Sequence, residues 1–148
     1  MMYLMDRKSL LVDKKDYKAL YQTIAELSEA IAELSKDEDA TQGAIQQSWL
    51  AWQILVDERL EVRDLNLAEK IATRANEAAE GKDPAVLDTL ARALFMNQKQ
   101  DKAIEIQRRA VELGTGKIKD GLQATLDSYI KGQLPTPDPR SSRKLPEW

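Results

Sequence analysis

Leu87-Asp88-Thr89-Leu90-Ala91-Arg92-Ala93-Leu94-Phe95 is followed by Asp101-Lys102-Ala103-Ile104-Glu105 and then by Ala110-Val111-Glu112-Leu113. This run has an earlier counterpart in the same chain. Leu67-Ala68 and Ala75 match Lys102-Ala103 and Ala110 at a constant offset of 35 residues, and both alanine pairs are seven apart. Upstream, Trp49-Leu50-Ala51-Trp52-Gln53-Ile54 matches Thr89-Leu90-Ala91-Arg92-Ala93-Leu94 at an offset of 40, so the earlier unit holds five extra residues in its turn, around Glu58-Arg59-Leu60-Glu61-Val62-Arg63. A weaker third copy of the leading pattern places Leu122, Thr125, Leu126 and Tyr129 where Leu87, Leu90, Ala91 and Leu94 fall. Self-similarity at such a period is the signature of stacked helical units. Antiparallel helices joined by a short turn approach closely only where small side chains meet, and the alanines at 51, 68, 75, 91, 103 and 110 supply those places. Each hairpin then leaves an apolar face for its neighbour to cover.

Outward from the repeat, six helices are expected, over about 14–35, 39–57, 65–80, 84–97, 100–113 and 118–131. The first carries Tyr17, Leu20, Ile24, Leu27, Ile31 and Leu34 at spacings of 3, 4, 3, 4 and 3, a single apolar stripe. Asp13 is its expected cap, with Asp16 at the third helical position; Asp64 and Asp83 cap the third and fourth helices. Gly81 is a stop signal, and Pro84 sits at the first helical position, where a missing N–H costs nothing. Pro84 is the only proline before the last 14 residues, which hold the other four. Proline is excluded from helix interiors, so 14–132 is open to a helical-repeat domain, with the repeat-like core at 44–131, and 133–148 reads as an extended or disordered tail. Residues 1–13 are ambiguous, a short strand or a helical lead-in.

Composition narrows the chemistry. The 148 residues include no Cys and no His, which removes disulfides, thiol nucleophiles, Cys/His zinc sites and imidazole bases. Charged residues at 32% beside 43% hydrophobic ones fit a globular chain rather than a disordered one. A net charge of −3 argues against a phosphate-binding surface, so no nucleic-acid partner is expected. No window nears 18 apolar residues, and Asp6 interrupts the first residues, so neither a membrane span nor a signal peptide is expected; the compartment stays open. Carboxylate pairs such as Asp37 with Asp39, or Asp57 with Glu58, fall in turns and helix ends, where capping and solvation account for them. Gly114-Thr115-Gly116-Lys117 lacks the preceding strand of a phosphate loop. No enzymatic activity, cofactor or metal site is therefore expected.

The residues of the 87–113 unit resemble the tetratricopeptide repeat family, an all-α, right-handed array of antiparallel helical hairpins. The resemblance covers about residues 44–131. Two positions depart from its pattern: Gln98 stands at the usual turn glycine and Gln107 at the usual large aromatic of the second helix. The longer-turned variant, with Ala51-Trp52, Arg63-Asp64 and Gly81-Lys82-Asp83-Pro84 in order, is similar to repeats of bacterial proteins, some of which carry them behind a thioredoxin-like domain. Tyr3-Leu4-Met5-Asp6-Arg7 resembles a strand of such a domain; no redox Cys pair is present, so redox activity does not carry over.

The resemblance implies that the leading helix of each hairpin lines a concave groove for a protein or peptide. Aligned internally, Trp52 and Leu55 face it from the first unit, Asp88, Arg92, Phe95 and Met96 from the second, and Gln123 and Asp127 from the third, with Trp52, Arg92 and Asp127 in a row. Trp and Arg are favoured anchors of interfaces. The competing assignment puts Trp52 and Phe95 in the core and Arg92 in solvent. Two further functions stay open: an accessory or oligomerisation domain of a larger, thioredoxin-like polypeptide, self-associating through helix 14–35 or the tail, and a small-molecule-binding helical bundle.

Overall fold

A computed structural model describes residues 2–36 and 40–137. Among the described residues the chain is all-α, with seven helices: α1 (Met2–Asp13), α2 (Tyr17–Leu34), α3 (Ala40–Val56), α4 (Leu65–Ala78), α5 (Pro84–Met96), α6 (Gln100–Leu113) and α7 (Gly116–Ile130). The extra helix is the ambiguous lead-in, including the stretch that resembled a strand. Leu4, Met5, Leu11 and Val12 all pack into the core, and their spacing suits one helix face rather than alternate faces of a strand. Lys8 lies on that same face and interrupts its apolar stripe. It is nevertheless buried, its ammonium 4.9 Å from the centroid of the Trp49 ring on α3. Asp13 belongs to α1 instead of capping α2. Lys15 takes a positive φ of 54° to reverse the chain, and Asp16 becomes the cap, accepting from the Ala19 N–H at 3.2 Å.

The helices pair as successive hairpins, α1 with α2, α3 with α4 and α5 with α6, and α7 packs on α6. Consecutive hairpins meet chiefly through α4 with α5 and through the leading helices α3 and α5. This is a packed helical array compatible with a repeat architecture. All six repeat alanines, Ala51, Ala68, Ala75, Ala91, Ala103 and Ala110, are 0% exposed. The α2 stripe is spent inside the chain: Leu20, Ile24, Leu27 and Ile31 are buried against α1 and α3, and only Leu34 emerges.

Buried polar ties set the register between units. Ser28 of α2 donates to Gln47 Oε1 of α3 at 2.6 Å, and Gln47 Nε2 returns to the Ser28 carbonyl at 2.9 Å. Arg74 of α4 reaches Ser28 Oγ at 2.7 Å and Glu29 at 2.8 Å. Gln107 occupies the position where the resemblance puts an aromatic. Fully buried, it donates to Asp88 of α5 at 3.0 Å and to the Leu122 carbonyl of α7 at 3.1 Å, so hydrogen bonds hold three helices together there. The five extra residues of the earlier turn also have a use. Glu61 N–H donates to Tyr17 Oη at 3.0 Å, Tyr21 donates to the Val62 carbonyl, and Leu60 is buried, which fastens the turn to α2. Gly114 lets α7 close onto α6, because a Cβ there would lie 2.8 Å from Leu122 Cδ1.

Three measurements check these points. Ala68→Leu inserts bulk where no space exists and should cost about 1–3 kcal/mol, seen as a lowered thermal midpoint; unchanged melting would contradict the close approach of α3 and α4. Gln98 takes a positive φ, 65°, of the kind that suits glycine, and its neighbour Lys99 donates to the Leu94 carbonyl at 2.9 Å. Relief of that strain in Gln98→Gly should stabilise by about 1 kcal/mol. Lys8 supplies a pH test. Burial pushes its pKa below the ordinary 10.5, with Asp57 partly opposing. The folded state therefore binds that proton less tightly than the unfolded chain does. Wild-type stability should rise relative to Lys8→Met as pH climbs toward about 10.5, where the penalty of a buried charge fades; a constant difference in denaturant midpoint across that range would count against it.

Candidate partner-binding face

The face is assembled from α3, α5 and the end of α7. Asp83 fixes the start of α5, accepting from Ala85 N–H at 2.9 Å with Pro84 in the first turn. The Ser48 hydroxyl of α3 donates to Thr89 Oγ1 of α5 at 3.0 Å, and this bond sets one leading helix against the next. One turn on along each helix, four residues after Ser48 and three after Thr89, Trp52 and Arg92 meet. The Arg92 guanidinium carbon lies 5.5 Å from the centroid of the Trp52 ring, within cation–π range. Trp52 is half-buried, whereas Arg92 is only 6% exposed.

Phe95, one turn further along α5, stacks on Tyr129 of α7, with ring centroids 4.6 Å apart and planes 19° from parallel. Burial lowers the pKa of Arg92; the Tyr129 and Asp88 side chains oppose that shift, and the nearby Arg63 adds to it. A guanidinium is so strongly basic that it keeps its charge at neutral pH even so. Among the described residues no carboxylate forms an ion pair with it, and its Nε is buried without a hydrogen-bond partner.

The other groove residues separate into three kinds. Leu55 is 2% exposed and belongs to the core. Met96 and Phe95 are half-buried and pack against that core. Asp88 is half-buried and accepts from Gln107. Gln123 and Asp127 are exposed and bond to each other at 2.9 Å, one helical turn apart. The expected row of Trp52, Arg92 and Asp127 thus closes at its first two members only. On α7 the inward residue is Tyr129, fully buried, which the internal alignment had matched to the apolar Leu94.

The contact that no periodic pattern could reveal comes from the tail. Gly132, at φ 72°, ends α7: its N–H donates to the Tyr129 carbonyl at 3.0 Å and that of Gln133 to the Ser128 carbonyl at 2.8 Å. The chain then runs back without regular structure, and Arg92 Nη1 donates to the Pro135 carbonyl at 3.0 Å. Pro135 and Pro137 are half-buried, Leu134 and Thr136 exposed. The rest of the expected tail, with Pro139, Pro146 and Trp148, lies outside the described residues, as do Asp37 and Asp39.

Among the described residues no group of three or more carboxylates is placed to hold a metal ion, and no helix is long and apolar enough to cross a membrane. No protein-family model matches the chain, and neither does any curated protein or solved structure.

Proposed function

We propose that the chain is a non-enzymatic interaction module of tetratricopeptide type, its hairpins stacked in a right-handed array, that holds an extended peptide segment of a partner protein across α3, α5 and α7. One observation carries this reading: a charged, buried guanidinium, stacked on Trp52, donates to the carbonyl of a non-helical backbone segment. A guanidinium beside aromatic rings, aimed at an acceptor on an extended chain, suits recognition of a peptide main chain. Trp52 and Arg92 are the anchors, Phe95 and Tyr129 form the wall beside them, and Asp88 helps to retain the charge. Leu55 and Met96 support the face from beneath. The internal repeat and the buried alanines support the tetratricopeptide assignment, with Gln98 and Gln107 as its two departures.

Selection of a random displayed peptide library on the full chain tests the proposal. Selected peptides should lose at least about tenfold in affinity for Trp52→Ala and for Arg92→Lys, while the helical circular dichroism of both variants stays as in the wild type. Equal binding to well-folded variants would overturn the assignment of this face.

A further inference from the structure

Resting on that reading, we propose that residues 134–137 are a built-in, displaceable occupant of the Arg92–Trp52 site, and that the segment which displaces them presents a carboxylate to Arg92. The tail meets the site as a ligand would. Its backbone carries no regular structure, proline at 135 and 137 removes two N–H donors, and the carbonyl between the two prolines, that of Pro135, is what Arg92 contacts. It is also held by a small contact. Leu134, the one large apolar side chain of the segment, remains 43% exposed, and Pro135 and Pro137 are only half-buried. One charge-assisted hydrogen bond carries the described polar contact between the segment and Arg92.

The occupant leaves the guanidinium incompletely satisfied. A neutral carbonyl takes Nη1, and the adjacent Nε stays buried and unpartnered. A buried donor without an acceptor is costly, and on a charged group more so. A carboxylate offers two oxygens and, end-on, can take Nη1 together with Nη2, where the carbonyl takes Nη1 alone. It also supplies the opposite charge that no described ion pair gives Arg92. An acidic side chain or a chain-terminal carboxylate on an extended segment therefore outcompetes the Pro135 carbonyl, even though the tethered tail enjoys a high effective concentration. The site is closed by its own tail until such a segment arrives.

The test uses the intact, nitrogen-15-labelled chain and a peptide with the sequence of residues 131–135, acetylated at its amino end. One form ends in a free carboxylate at the position of the Pro135 carbonyl; the other ends in an amide. Displacement is read from the backbone amide signals of Leu134 and Thr136, and occupancy of the face from the Trp52 indole signal. The free acid should release the tail at a concentration at least about tenfold below that of the amide. In Arg92→Lys, which keeps the charge and loses the fork, the difference should shrink to near unity. Equal potency of acid and amide on the wild-type chain overturns the carboxylate preference without recourse to any variant. If the indole signal moves while Leu134 and Thr136 stay in place, the tail is no occupant of the site, and the interaction face stands without it. If neither set moves up to millimolar peptide, this proposal fails; the library selection then decides separately whether the face binds other peptides.

Discussion

The close approach of antiparallel helices at buried alanines is the constraint on which everything else rests. Where Ala51, Ala68, Ala75, Ala91, Ala103 and Ala110 stand, no side chain extends beyond a methyl group, and each is fully buried. Helix backbones can therefore lie close along most of a hairpin, and interior packing leaves little tolerance for added volume. The hairpins that result place α3 beside α5, and only that adjacency lets Trp52 and Arg92 touch. A larger residue at these positions would separate the helices and move the two anchors apart.

Small residues permit proximity but do not choose a register. That choice falls to polar groups inside the array. Ser28 with Gln47 and Arg74, Ser48 with Thr89, Asn97 with the Leu65 carbonyl, and Gln107 with Asp88 and the Leu122 carbonyl each join different helices. A helix that slid by one residue would leave several of these groups buried without partners, at a cost well above the net worth of the bonds themselves. Gln107 shows how a buried amide contributes: its hydrogen bonds to α5 and α7 add directionality to the packing. Its Oε1 stays unpaired.

Much of the fold was legible because it is periodic. The alanine offsets, the Asp64 cap and the Gly81-Lys82-Asp83-Pro84 boundary each follow from a local rule, and the structure places helices accordingly. The lead-in was not legible, since Lys8 interrupts its apolar face and only the Trp49 ring across from it explains the burial of a charge. The internal alignment puts Trp52 and Arg92 in one row, and in the structure the two side chains meet. The row does not continue to Asp127, because the large Tyr129 ring stacks on Phe95 and takes the inward position on α7. The bond from Arg92 to Pro135 is a single long-range event after a glycine turn. No spacing announces it, although the alternating prolines did mark the segment as extended.

The central claim is that a buried guanidinium on α5 holds a non-helical chain segment against the helical face. Backbone nitrogen-15 relaxation of Leu134 and Thr136 in the intact protein tests this most directly, because both have amide protons and flank Pro135. The account predicts order parameters near the rigid-backbone value of about 0.85, level with α5 and α7. Values below about 0.6 at both residues would mean that the segment is not held, and would contradict it.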